Sequence, residues 1–179
     1  MDHEVIYNKL KAYTRANGIE LTEANFDATL KLALTEEEYK LCYLPDTIAG
    51  QIDQYAMRGD VLMEEGKIAE AVALYEKGYK IIPEPKEAYE ASLWFLVAIG
   101  DAYWYNKNWD KALPYFEQSL GVKGGTDNPF VFLRKGQLLY ELGDEEGAYE
   151  ALKQGFDWEG AELFEDEDAK YLKLATSEK

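Results

Sequence analysis

Apolar residues recur at helical spacing near the start of the chain and predict a first helix there. Its apolar positions are Val5, Ile6, Leu10 and Tyr13. Asn17-Gly18 is a typical helix end, because glycine readily adopts the left-handed conformation that terminates helices. Thr22 is placed to cap a second helix, whose apolar positions are Phe26, Leu30 and Leu32. This part of the chain therefore predicts two helices.

A third helix is predicted to start at Thr35, because Thr35-Glu36-Glu37-Glu38 has the sequence of a capping box. In this motif the threonine and the acid three residues later each accept a hydrogen bond from the other's backbone N–H. The helix would end before Pro45, and Asp46 or Thr47 would cap the next one. We interpret residues 1–50 as an N-terminal helical cap that shields the open face of the segments that follow.

After this N-terminal part, three segments align on a glycine that follows an apolar turn of helix, at Gly59, Gly100 and Gly136. A glycine inside a helix costs about 1 kcal/mol relative to alanine, and it is tolerated where a neighbouring helix must approach closely. Each following helix carries a small residue, at Ala71, Ala112 and Ala148. It also carries a larger one that we expect to fill the next groove, at Tyr75, Phe116 and Leu152.

This arrangement of small and aromatic residues resembles the tetratricopeptide repeat (TPR) family, whose unit is a helix-turn-helix of about 34 residues. The three units span residues 52–85, 93–126 and 129–162. The aligned glycines are 41 and then 36 residues apart, so the spacing is not uniform. After the first insertion, which contains Pro83 and Pro85, the next helix can start near Lys86. After the second, Asn128-Pro129 is a favourable helix start.

The end of the chain, residues 163–179, predicts a short turn followed by a capping helix and tail. The apolar residues available to cover the last repeat are Leu163, Phe164, Tyr171, Leu172 and Leu174. The acidic run Glu165 to Asp168 lacks the glycine of a calcium-binding loop, and we interpret it as a solvated cluster at a helix N-terminus. The resemblance thus implies an all-α TPR helix-turn-helix solenoid over residues 51–162, between an N-terminal helical cap and a C-terminal capping helix.

The charge of the chain indicates which class of partner to expect. Its 35 Asp and Glu outnumber 19 Lys and Arg, for a formal net charge of −16. Nucleic acids and anionic membranes are bound mainly by basic residues, so neither is an expected partner. Another protein with a basic or amphipathic segment is favoured, because opposite charges steer such encounters.

The residues that most chemistry requires are scarce. The chain has one histidine, His3, and one cysteine, Cys42, too few to build a transition-metal site. No phosphate-binding or dinucleotide motif is present. We therefore expect no enzymatic activity, no cofactor and no metal. The single cysteine, the acidic N-terminus and an apolar run of only Leu93 to Ile99 favour a cytoplasmic protein.

The resemblance implies that a partner would bind the groove lined by the first helix of each repeat. The expected partner-binding residues are Asp53, Asp60, Glu64, Trp94, Asp101, Trp104, Tyr105, Phe130, Gln137 and Tyr140. Aromatic side chains are favoured at binding hot spots, and neighbouring aspartates suit lysine or arginine. The positions with which related repeats clamp a chaperone's terminal carboxylate are Asp53, Met57, Trp94, Ala98, Phe130 and Arg134. Only Arg134 is basic among them, so a chaperone clamp is not expected.

Several alternatives stay open. The protein could be an immunity protein that neutralises a basic toxin, or a homo-oligomeric assembly scaffold that uses the groove on itself. An enzyme would require a carboxylate pair in the groove, such as Asp60 with Asp101, with a raised pKa. The terminal helices could also fold into the groove and bury its aromatic residues.

Overall fold

The computed structural model describes residues 3–19, 25–36, 38 and 46–177, and all its regular elements within these ranges are helices. Nine α-helices in this described part run in chain order: α1 His3–Asn17, α2 Phe26–Ala33, α3 Asp46–Glu64, α4 Ile68–Ile81, α5 Glu90–Tyr105, α6 Trp109–Ser119, α7 Pro129–Glu141, α8 Glu145–Glu159 and α9 Ala169–Ala175. Two 3₁₀ turns, Lys86–Ala88 and Gly160–Phe164, precede α5 and α9.

Three helical hairpins form the body of the molecule. The helix α3 packs against α4, α5 against α6, and α7 against α8. Neighbouring hairpins join because α4 packs on α5 and α6 packs on α7. The chain is therefore an all-α helix-turn-helix solenoid, which confirms the fold class predicted from the aligned glycines.

The aligned glycines allow the two helices of each hairpin to come close together. A Cβ on Gly59 would lie 2.1 Å from Tyr75 Cε1, and one on Gly136 would lie 2.5 Å from Leu152 Cγ. We expected Tyr75 and Leu152 to fill the groove of the next repeat, but both rest on the glycine of their own repeat. The contact between repeats uses another glycine, Gly78, where a Cβ would lie 2.2 Å from the Phe95 ring. Phe116 repeats the intra-hairpin contact on Gly100, at 2.5 Å.

The connection between the first and second hairpins differs from the prediction. We expected a helix to start near Lys86, but a 3₁₀ turn occupies Lys86–Ala88 and α5 begins at Glu90. The Lys86 ammonium group donates to the carbonyl oxygens of Tyr79 and Lys80 at 3.1 and 3.2 Å, at the end of α4. Ser92 Oγ donates to the Lys86 carbonyl at 2.7 Å. These bonds hold Lys86 outside the helix and explain the later start.

Two of the predicted helix caps are present, at Asn128 and in the capping box at Thr35. Helix α3 begins at Asp46, and the side chains of its predicted caps, Asp46 and Thr47, lie outside the described residues. Phe130 N donates to Asn128 Oδ1 at 3.0 Å, so α7 starts at Pro129 as expected. In the capping box, Glu38 N donates to Thr35 Oγ1 at 3.3 Å and Thr35 N donates to Glu38 Oε2 at 3.0 Å. The helix that this box would start continues into residues 39–45, which lie outside the described residues, as does Thr22. In the same region α1 packs against α2. That residues 1–50 cap the first repeat stays a prediction.

The C-terminal segment, residues 160–177, closes the other end of the solenoid. Gly160 has φ +76° and ends α8, and the following 3₁₀ turn leads into α9. Phe164, Tyr171 and Ala175 are buried with Leu133 and Leu152 of the third hairpin. The last hairpin therefore does not expose its apolar end.

Candidate functional site

The groove face is the surface formed by α3, α5 and α7, and the ten predicted partner-binding residues divide along it by exposure. Those exposed to solvent are Asp53, Asp60, Glu64, Trp94 and Tyr105. Those partly buried are Asp101, Trp104, Phe130 and Tyr140, and Gln137 is wholly buried. The exposed members belong to α3 and α5, whereas α7 contributes none. The exposed predicted residues thus lie on the first and second repeats, and the groove face is closed at the third.

The open end contains a cleft of about 420 Å³ between α3 and α5. The residues that line it are Ile52, Asp53, Ala56, Met57, Asp60, Ala91, Trp94 and Phe95. We call this space the α3–α5 cleft. Met57 is 68% exposed and Trp94 is 42% exposed, although both are large apolar side chains. The cleft therefore combines two carboxylates with apolar surface that water covers in the isolated chain.

Side chains beneath the cleft hold its functional groups in place. Tyr75 is buried, and its hydroxyl donates a hydrogen bond of 2.7 Å to Asp60 Oδ1. Burial, together with this bond to a carboxylate, raises the pKa of the Tyr75 phenol, so the hydroxyl keeps its proton. Trp94 meets Tyr75 edge to face, with 5.6 Å between ring centroids, and meets Phe95 at 4.9 Å. The Asp60 carboxylate and the Trp94 indole are consequently preorganised.

At the closed end, Arg134 of α7 is bound by groups from three parts of the chain. Its Nε donates to Asp101 Oδ1 of α5 at 2.8 Å, and its Nη1 donates to Glu167 Oε1 of the C-terminal segment at 2.8 Å. Nη1 also lies 2.7 Å from Gln137 Oε1. Gln137 Nε2 in turn donates to Glu167 Oε2 at 2.8 Å. We call these four residues the Arg134 network.

Aromatic rings surround the guanidinium of Arg134. Its Cζ lies 4.8 Å from the centroid of Phe130, 5.2 Å from Trp104 and 6.0 Å from Tyr105. Cations are attracted to the faces of aromatic rings over such distances, and more strongly where water is excluded. Arg134 is only 5% exposed. Trp104 and Phe130, predicted as partner contacts, thus enclose a residue of the same chain.

The close packing of charges in the Arg134 network shifts the pKa of Asp101. Burial raises the pKa of Asp101; the Arg134 guanidinium opposes this shift, and the neighbouring Glu167 carboxylate adds to it. Arginine stays charged at any accessible pH, so one fixed positive charge faces two carboxylates. This raised pKa does not make an acid–base pair of Asp60 and Asp101, because Asp101 is engaged with Arg134.

A second contact fastens the C-terminal segment beside this network. Lys170 Nζ and Tyr171 Oη donate to Glu141 Oε1 at 2.6 and 2.7 Å. The Tyr140 ring, another predicted partner contact, packs edge to face on Tyr171 with 5.7 Å between centroids. The partly buried Tyr140 is therefore also in contact with the chain's own C-terminal segment.

Glu167 is the member of the Arg134 network whose contact the sequence did not predict. We interpreted the run Glu165 to Asp168 as a solvated cluster, but the Glu167 side chain is 18% exposed and bonds Arg134 and Gln137. Asp168 does cap α9, since Lys170 N donates to its Oδ1 at 3.0 Å. No local pattern distinguishes Glu167 from its acidic neighbours. The sequence did offer one indication. Arg134 is a basic residue on the groove face, and a buried arginine needs a carboxylate as its partner.

Other chemistry is limited within the described part of the chain. No group of three His, Cys, Asp or Glu residues there could hold a metal ion. Cys42 and the His3 side chain lie outside the described residues. None of the described helices combines the length and the apolar character needed to cross a membrane.

Comparison with known proteins identifies the repeated unit. The family model described as tetratricopeptide repeat matches residues 54–123, which include most of α3 and all of α4, α5 and α6. No curated protein matches the chain. Repeats of this family are typically non-catalytic and mediate protein–protein interactions. Six of the eight residues that line the α3–α5 cleft lie within the matched residues, and Ile52 and Asp53 directly precede them.

Proposed function

We propose that this chain, which belongs to the tetratricopeptide repeat family through residues 54–123, binds a basic or amphipathic segment of a partner protein at the α3–α5 cleft. The observation that carries the proposal is the cleft itself, where Asp53 and Asp60 stand beside an exposed tryptophan, Trp94. Tryptophan is enriched at binding hot spots, and a carboxylate beside an aromatic ring suits a cationic side chain.

The charge of the whole chain supports the same class of partner. A net charge of −16 attracts basic proteins at long range and repels nucleic acids. The cleft also offers apolar surface, from Met57 and Trp94, that a partner could bury. A segment with basic side chains and an apolar face would satisfy both features. A basic toxin would be one such partner, and that narrower role stays a prediction.

We restrict the proposed site to those predicted partner-binding residues whose side chains are exposed. We leave Asp101, Trp104, Phe130 and Gln137 out of the binding surface because they contact Arg134, and Tyr140 because it packs on Tyr171. The proposed contacts are Asp53, Asp60 and Trp94, with Glu64 and Tyr105 as flanking exposed residues. Substitution of Asp101 or Trp104 would damage the Arg134 network and would not test binding cleanly.

A capture experiment with matched variants tests the proposal. The cleft variant is Asp53→Asn, Asp60→Asn and Trp94→Ala. The control variant is Glu117→Gln, Glu150→Gln and Trp158→Ala, which neutralises as many exposed carboxylates and removes as exposed a tryptophan. Tagged proteins are incubated with lysate of the source cells at about 0.05 M and about 0.5 M salt, because salt screens exposed charge pairs.

We expect a basic protein to be captured by the wild type and by the control variant at low salt, and to be lost with the cleft variant. Equal capture by all three proteins would contradict the cleft as the binding site. Size-exclusion chromatography of the wild type and the cleft variant addresses the homo-oligomeric scaffold. If the wild type self-associates and the cleft variant does not, the cleft binds a second copy and not a basic partner.

A further inference from the structure

The second and third repeats, together with the C-terminal segment, form a guanidinium site from the chain's own residues. Asp101 supplies one carboxylate to Arg134 at 2.8 Å, and the Phe130 ring lies 4.8 Å from the guanidinium carbon. Glu167 supplies a second carboxylate, also at 2.8 Å. A planar cation between carboxylates and aromatic rings is thus an arrangement that this groove face already uses.

The repeat register relates this site to the α3–α5 cleft. Asp60 and Asp101 each directly follow the aligned glycine of their repeats, Gly59 and Gly100. Trp94 and Phe130 each precede the glycine of the next repeat by six residues. The first and second repeats therefore present the same acid and the same aromatic position as the second and third.

The two sites differ at the position of the cation and at the residue that rests on the aligned glycine, which is Tyr75 at the cleft and Phe116 one repeat later. Arg134 precedes its glycine by two residues, and the corresponding residue one repeat earlier is Ala98. Within the described part of the chain, Tyr75 Oη is the hydrogen-bond donor that reaches the Asp60 carboxylate, which is otherwise exposed. The carboxylate and the aromatic ring are thus present at the cleft, while the side chain that would bring a guanidinium is missing.

We propose that the α3–α5 cleft receives an arginine side chain of the partner, which takes the place that Arg134 takes one repeat later. This inference rests on the proposed function and names its ligand group. Asp60 corresponds to Asp101, Trp94 corresponds to Phe130, and Asp53 supplies a second carboxylate, as Glu167 does. Arginine fits better than lysine, because its planar guanidinium stacks on a ring and bonds carboxylates through several N–H groups.

The first test uses small probes and the ¹⁵N-labelled protein. Acetyl-arginine amide, acetyl-lysine amide and acetyl-citrulline amide are titrated while the indole N–H signal of Trp94 is followed by NMR. The signal is assigned by its disappearance in Trp94→Phe. Citrulline keeps the shape of arginine but is neutral. We expect a saturable shift with the arginine probe, binding about tenfold weaker with the citrulline probe, and intermediate binding with lysine. In Asp60→Asn, which retains an acceptor for Tyr75, the arginine response should fall to that of citrulline.

The second test introduces an arginine into the chain itself, at the position that corresponds to Arg134. Ala98→Arg should fill the cleft and abolish the response of Trp94 to the arginine probe. It should also raise the midpoint of urea unfolding relative to Ala98→Met, a control for bulk, and this gain should vanish when Asp60→Asn is added. If Ala98→Arg abolishes probe binding but its gain in urea midpoint does not depend on Asp60, the new side chain only blocks the cleft sterically. That result would overturn the inference.

The probe comparison separates this inference from the proposed function. Equal responses to the arginine, lysine and citrulline probes would overturn the inference. Equal probe responses would leave the proposed function intact if the basic partner is captured by the wild type and not by the cleft variant. If the arginine probe binds as expected but capture does not depend on the cleft, the proposed function fails while the site itself stands. Ala98→Arg is needed only for the second test, so a failure of that variant to fold leaves the NMR comparison decisive.

Discussion

Arg134 on α7 and Glu167 in the C-terminal segment form an ion pair of 2.8 Å, although 33 residues separate them along the chain. Glu167 also accepts a hydrogen bond from the buried amide of Gln137. The chain therefore satisfies its own polar groups at the third repeat, while exposed acidic groups remain at the first repeat and exposed aromatic groups at the second. This relationship divides the groove face into a half that the chain itself occupies and a half where we propose that the partner binds.

The first prediction concerns the stability that Glu167 contributes. Glu167→Ala should lower the free energy of unfolding by about 1–3 kcal/mol, because it leaves the buried Arg134 and Gln137 with unsatisfied groups. Urea titration measures the change. Glu165→Ala, at an exposed position in the same turn, should change stability by no more than about 0.5 kcal/mol. Equal losses in the two variants would contradict the role of Glu167.

The second prediction compares two glycines of the same helix, α3. Gly59→Ala should destabilise the protein by about 1–3 kcal/mol, because the added Cβ would lie 2.1 Å from the Tyr75 ring. Gly50→Ala should instead stabilise it by up to about 1 kcal/mol, since nothing lies within 4 Å and alanine favours the helix. Thermal and urea unfolding of both variants provide the measurement. If Gly59→Ala is as stable as Gly50→Ala, the close helix approach is not real.

The third prediction tests the bond that anchors Asp60. Tyr75→Phe should cost about 0.5–1.5 kcal/mol, because it removes the hydroxyl that donates to Asp60 at 2.7 Å. In an Asp60→Ala background the same substitution should cost close to nothing. A double-mutant cycle measured by urea unfolding isolates the pairwise contribution. An unchanged cost in both backgrounds would mean that the hydroxyl matters for another reason.

The fourth prediction is a dependence of stability on pH that arises from Glu141. Partial burial raises the pKa of this carboxyl, but hydrogen bonds from Lys170 and Tyr171 lower it more, so it lies below its ordinary value of 4.5. A carboxyl with a lowered folded-state pKa stabilises the fold above its unfolded pKa and loses that contribution as the pH falls through the folded-state pKa. Stability should therefore decline on acidification below 4.5 partly because of this group.

The Glu141→Gln variant checks this sign, because glutamine cannot titrate. Its urea stability near neutral pH should be lower than that of the wild type, and the difference should shrink as the pH falls below 4.5. Glu150→Gln, which removes an exposed carboxylate of α8, serves as the control. A difference that stays constant with pH would show that Glu141 does not contribute through its charge.

Local pattern predicted most of the repeat architecture. Gly59, Gly100 and Gly136 marked the three hairpins, because only a residue without a side chain allows the helices to approach so closely. Asn128 likewise marked the start of α7. These signals are legible in sequence because each depends on the conformation of a few adjacent residues or on a fixed spacing between them. The start of α5 was missed because Lys86 is held by carbonyl groups of the preceding helix.

The sequence by itself thus determined an acidic all-α repeat chain, with an aspartate and an aromatic residue on the groove face of successive repeats. Only the tertiary structure decided which of them are free. Asp101 faces Arg134 and Asp60 does not, and Glu167 reaches the groove because the chain turns back after α8. The physical reason is that a charge near the core pairs with whatever opposite charge the fold brings within about 3 Å, and sequence distance does not limit that choice.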